Sequence, residues 1–299
     1  MDRQLDITDL QAQAVRPFEV LESLDLPAHY ERSFKMRPGA LRAQRYLLGV
    51  PTAGVSGTRL IEAARRLGMP EHLQPGFAHS LEGASMVLYG FEGGDDGTVF
   101  KAYTEHRARL TLALAALGKG GAWPAPVELF RGFKWREVGR LATRGALLDE
   151  VDAASMGSAP VSGVQTVYRA LPGLRMPQVL AEVKARLRDV RVAPLRVAVL
   201  DLLDLVQRAR PDFAPVWLDV GELDEPVRAF DLNLYDAGLR VQDIAVELRM
   251  LAQALRIERD LVQRLLVAAG PGLLGHVCAG CGRDGLPCLT IYFEPAGQA

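Results

Sequence analysis

Four of the chain's seven tyrosines stand two positions after a polar residue at the end of a predicted hairpin: Gln44-Arg45-Tyr46, Lys101-Ala102-Tyr103, Asn233-Leu234-Tyr235 and Thr290-Ile291-Tyr292. On an extended strand residues i and i+2 share a face, so each triplet sets a polar head beside a phenol. Lysine and arginine give charge-assisted hydrogen bonds to phosphate oxygens, and phenol hydroxyls complete the shell around such an anion. The ring faces carry a further capacity. Their quadrupole stabilises a carbocation, while in that geometry they are poor nucleophiles. Together these groups suit a diphosphate and a cation formed when it leaves.

Two other clusters offer chemistry. His276-x-Cys278-x-x-Cys281-Gly282 with Cys288 places four metal-ligating side chains near one turn. A structural zinc site normally pairs two Cys-x-x-Cys knuckles, and here there is one, so these are expected to be strand cysteines with metal as a minor alternative. Gly93-Gly94-Asp95-Asp96-Gly97 is a turn and not a phosphate loop, because no helix follows it directly.

Each tyrosine triplet ends a predicted hairpin. Turn signals and alternating strands place hairpins near 29–50, 85–105, 127–148, 216–235 and 275–294. In the third, Val127 to Trp135 is one strand and Gly139 to Leu148 the other, and Arg140-x-Ala142-x-Arg144 replaces the tyrosine triplet. Amphipathic helices are predicted between the hairpins, among them 163–171, 177–190 and 194–209. Such a regular alternation is a repeat. Ten antiparallel strands must hide their edges, and closing into a barrel does so. The expected fold is therefore α+β: one domain over 1–299, a ten-stranded antiparallel β-barrel with helices outside.

The helices need an apolar surface, so the apolar strand faces should point outward and the polar faces line the lumen. That inventory gathers Arg42, Lys101, Lys134, Arg140 and Arg144 with Tyr46, Tyr103, Tyr235 and Tyr292, and the carboxylates Glu31 and Asp219. A polar, aromatic-lined lumen is a place for a ligand.

These features resemble the ABBA-type prenyltransferases, the aromatic and peptide enzymes built on the PT barrel. Lys101-Ala102-Tyr103 matches the Lys-x-Tyr strand of the indole-prenylating branch. Asn233-Leu234-Tyr235 and Thr290-Ile291-Tyr292 match its later tyrosine strands, and Arg140 to Arg144 departs from its Arg-x-Lys-x-Tyr strand. The length is nearer the small bacterial and cyanobactin-type members. The resemblance implies transfer of an isoprenoid group from an allylic diphosphate to an aromatic small molecule or peptide. It implies Glu31 as proton acceptor and substrate anchor, with Asp219 second. No Asp-Asp-x-x-Asp motif is present, so no cofactor is required and Mg²⁺ is not implied. The alternatives are a non-catalytic barrel that binds a small molecule or peptide, and a zinc-stabilised interaction protein.

Composition sets the remaining bounds. A formal net charge of −1 gives no global field for nucleic acid or an anionic membrane. The N-terminus lacks the regions of a signal peptide, and no apolar run reaches membrane-spanning length. The expected location is the cytoplasm.

Overall fold

The computed structural model describes residues 7–94, 97–117, 125–136, 163–223, 225–282 and 284–297. Ten strands form a closed barrel in which every pair is antiparallel. They are β1 (His29–Arg37), β2 (Ala40–Pro51), β3 (Met86–Glu92), β4 (Val99–Glu105), β5 (Val127–Arg136), β6 (Val164–Leu171), β7 (Val216–Glu222), β8 (Ala229–Asn233), β9 (Leu273–Cys281) and β10 (Pro287–Glu294). The ring closes where β1 pairs with β10, Lys35 opposite Thr290 and Ser33 opposite Tyr292.

The helices follow the hairpins. They are α1 (Ile7–Ser23), α2 (Gly57–Arg66), α3 (Gln74–Ser80), α4 (Arg107–Leu117), α5 (Met176–Arg186), α6 (Ala193–Ala209), α7 (Ala245–Ala254) and α8 (Arg259–Ala269). Ser56 caps α2 through its side chain, and proline near the N-termini of α5 and α6 sets their entry. No helix among the described residues is long and apolar enough to cross a membrane.

The core is a shell between barrel and helices, as the strand alternation implies. On one side Phe34, Trp217, Phe230, Val277 and Ile291 pack against Val183, Leu203 and Leu248. On the other, Val87, Tyr89, Phe100 and Trp135 pack against Leu60, Ala63 and Phe77. All of these are buried.

Two expectations need correction. The partner of β5 is not Gly139 to Leu148, which lies outside the described residues, but β6, expected to be a helix. Val164, Val167, Tyr168 and Leu171 fall at helical spacing, which misleads in so short an apolar run. β-Branched and aromatic residues favour the strand, and pairing with both β5 and β7 supplies its backbone bonds. The second correction is in β2. Ser33 faces Arg45 but Lys35 faces Arg42, so β2 spends three residues where β1 spends two. A bulge of one residue reverses the faces beyond it. Tyr46 therefore points outward and Arg45 takes the lumen.

Candidate active site

The lumen divides along its axis into three parts. The first is a basic chamber of about 390 Å³, lined by Lys35, Arg42, Arg45, Lys101, Lys134 and, near its rim, Arg228. The β3–β4 hairpin builds its deepest pair. Lys101 Nζ donates to Glu92 Oε2 at 2.5 Å, and Arg45 Nη2 reaches the same oxygen at 3.5 Å. Burial raises the cost of charging Glu92, yet Arg45, Lys101 and Lys35 hold it well below the usual carboxylate range. Burial pushes Lys101 down to about 7; Glu92 pulls it back, and Arg45 and Lys134 add to the fall. Burial likewise lowers Lys134, with Lys35 adding to it.

One carboxylate does not satisfy these donors. Arg45 is 6 % exposed, and among the described residues its Nε and Nη1 have no hydrogen-bond partner. Thr166 Oγ1, on the same chamber wall, is also buried without a partner among the described residues. A buried, unpaired guanidinium edge costs free energy unless an anion completes it.

The second part is a ring of phenols: Tyr103 from β4, Tyr168 from β6 and Tyr292 from β10, around a cavity of about 70 Å³ closed by Leu47, Leu88, Phe130 and Leu218. The rings of Tyr103 and Tyr168 meet edge to face at 6.0 Å. Gly132 makes this approach possible. It sits between Tyr103 and Thr166 in register, and a Cβ there would lie 2.5 Å from a Tyr103 ring carbon and 2.4 Å from Thr166 Oγ1. Burial raises the pKa of all three phenols, which therefore stay neutral donors.

The third part is a cavity of about 530 Å³ at the opposite mouth, with Glu31, Tyr235, His276 and Glu294 among its walls. Tyr235 Oη donates to Glu31 Oε1 at 2.7 Å. Burial raises the Glu31 pKa against the pull of His276 and Tyr235. His276 Nδ1 meets Asp231 Oδ1 at 2.6 Å. Burial opposes the charge on His276, but Asp231, with Glu31 and Glu105 adding to it, lifts the imidazole to about 9.

The structure thus brings Arg42, Lys101 and Lys134 to one chamber, Tyr103 and Tyr292 to the ring, and Tyr235 and Glu31 to the far mouth. Arg140 and Arg144 lie outside the described residues. Two assignments are overturned. Tyr46 packs outside the barrel against Phe18 and Phe91, its hydroxyl on the Ala14 carbonyl at 2.6 Å. Asp219 faces α5, where it pairs with Arg186 at 2.8 Å and accepts from Trp217 Nε1 at 3.0 Å.

The four candidate ligands do not gather at one point. Cys278, Cys281 and Cys288 line the basic chamber, Cys281 also packing against the outer core, while His276 lines the central and far cavities; all three cysteines are free. Among the described residues no three of His, Cys, Asp and Glu gather to hold a metal ion.

Sequence reasoning missed Tyr168, Arg45, Glu92 and the His276–Asp231 pair. Tyr168 carries the same signature, Thr166-Val167-Tyr168, hidden by the helical reading. Arg45 stood in view as the spacer of Gln44-Arg45-Tyr46, on the wrong face for want of the bulge.

No protein-family model matches the chain, and no curated protein does. Solved structures do. AnaPT from Neosartorya fischeri superposes with a TM-score of 0.53 at 12 % identity, over 91 % of this chain and 80 % of that one. NotF in complex with brevianamide F and DMSPP gives 0.49 at 12 % identity, over 91 % and 81 %, and NotF prenyltransferase 0.48 at 13 %, over 89 % and 80 %. The fold assignment rests on the AnaPT likeness and on the closed ten-stranded topology. The chain has the ABBA, or PT-barrel, fold.

Proposed function

We propose that the chain is a prenyltransferase that moves an isoprenoid group from an allylic diphosphate to an aromatic small-molecule or peptide acceptor inside the lumen. The observation that carries this reading is Arg45: a buried guanidinium with two unpartnered nitrogens, aimed into a chamber of cations and backed by a ring of three tyrosines.

The diphosphate lies in the basic chamber, where Arg45, Lys101, Lys134 and Arg42 take up the charge that grows as the allylic C–O bond breaks. Fixed cations aimed at a developing charge are usually the largest catalytic contribution. The bond's electron pair leaves with the diphosphate. The allyl cation is held against the faces of Tyr103, Tyr168 and Tyr292, which also exclude water. An electron-rich acceptor in the far cavity attacks it, and the proton lost from the acceptor passes to Glu31. Burial favours the neutral form of that carboxyl. Since cationic side chains supply the charge, the reading is of metal-independent transfer.

The test is calorimetry with geranyl thiodiphosphate, an analogue that ionises poorly, on the protein in EDTA and on a Lys101→Ala variant. Micromolar binding that the variant loses is the expected result. A folded protein that does not bind it overturns the reading and leaves a non-catalytic barrel with a different ligand.

A further inference from the structure

The acceptor end of the lumen holds a polar device that proton removal by Glu31 does not use. His276 on β9 is 17 % exposed and Asp231 on β8 only 5 %, and the two are locked together through Nδ1. The ring stands upright between two phenols, its centroid 5.6 Å from Tyr235 and 6.2 Å from Tyr292, edge to face with both. Among the described residues Nε2 has no hydrogen-bond partner, and the residue lines both the central cavity and the far one. Beside it Glu31 spends Oε1 on Tyr235 and keeps Oε2. The wall therefore offers an incoming molecule one fixed donor next to one fixed acceptor.

We propose that His276, oriented by Asp231, donates from Nε2 to a carbonyl or carboxylate oxygen of the acceptor, so that the site selects an aromatic acceptor carrying such an oxygen near the ring that is alkylated. The inference deepens the prenyl-transfer reading and rests on it. A donor is the right polarity here. The charged groups facing the imidazole are Asp231 from β8, Glu31 from β1 and Glu105 from β4, all of which keep a proton on it, while Tyr235 and Tyr292 are neutral. With Nδ1 committed to Asp231, Nε2–H is the proton that reaches the cavity. A site built to hydrogen-bond an oxygen discriminates against an analogue without it, because the buried donor is then left unpaired.

Two measurements decide the matter. Nitrogen-15 spectra of the imidazoles at pH 7 should show His276 protonated on both nitrogens, and neutral on Asp231→Asn substitution; a neutral ring in the unaltered protein overturns the proposal. The second is binding of two indole probes in the presence of geranyl thiodiphosphate: indole-3-propanamide and its shape match without the oxygen, 3-isopentylindole. The amide should bind about tenfold tighter or better. His276→Leu should erase that preference while still binding the thiodiphosphate. Equal binding of the two probes, or of neither to a protein that holds the thiodiphosphate, overturns the proposal and leaves the transferase reading intact. Failure to bind the thiodiphosphate at all overturns that reading instead, and the imidazole spectrum still reports on His276.

Discussion

Lys101 carries the first consequence that can be measured at a single atom. Its ammonium is shared with Glu92, yet burial beside Arg45 and Lys134 brings its pKa to about 7, where half of it is neutral. A diphosphate placed against Nζ favours the charged form and raises that value. Binding at pH 8 must then draw a proton from solution, and affinity must fall as the pH climbs above 7, by linkage. Calorimetric titration of geranyl thiodiphosphate in buffers of different ionisation heat reads the protons directly. A fractional uptake approaching one proton is expected at pH 8, and a much smaller one in Lys101→Met. An enthalpy independent of buffer would place the anion away from Lys101.

Among the elements, two strands decide what the lumen contains, and they are the two that pattern alone does not locate. The alternation on β4, β8 and β10 was legible because those strands are regular where the readable faces lie: Phe100, Phe230 and Ile291 turn out to the helices, and Lys101, Asp231 and Tyr292 turn in. The bulge in β2 and the strand β6 were not. One extra residue leaves no mark in composition, and Val164 to Leu171 fits a helix as well as a strand until its partners are known. Asp219 failed for a different reason. It shares the face of Trp217 two residues before it, and that face turns out of the lumen to α5, where Asp219 pairs with Arg186.

Both strands converge on the phenol ring, where Gly132 of β5 lets Tyr103 and Tyr168 touch. A methyl group there must displace the Tyr103 ring. Gly132→Ala should leave the thiodiphosphate affinity within about threefold, since a Cβ there meets Tyr103 and Thr166 but none of the chamber's cations, but lower kcat for transfer by up to about a hundredfold, as misplacement of reacting partners does. Steady-state kinetics beside the binding titration separates the two. An unchanged kcat would remove the ring from the mechanism.

At the scale of the whole molecule, a formal net charge of −1 hides a strongly polarised interior, cationic at one end of the lumen and carboxylate-bearing at the other. The helices supply the apolar shell, and the charged lumen then sets how stability answers to pH. Two of its groups act in opposite directions. His276 has its folded pKa raised from 6.5 to about 9, so its contribution is fully present below the unfolded value and is lost as the pH rises through 9. Lys101 has its folded pKa lowered from 10.5 to about 7. Between those values the unfolded chain binds more protons, so stability rises with pH; Lys134, lowered in the same sense, adds to it. Between pH 7 and 9 the slopes oppose one another and the unaltered protein should show a shallow dependence. Breaking either end unbalances it. Asp231→Asn removes the support for the imidazolium and should leave stability rising across this window; Lys101→Met removes the buried amine and should leave it falling. Denaturant midpoints at pH 7, 8 and 9 for the three proteins give the slopes. Parallel slopes in all three would mean that neither end of the lumen holds its charge as the geometry requires, because a barrel wetted throughout would return both groups to their ordinary values.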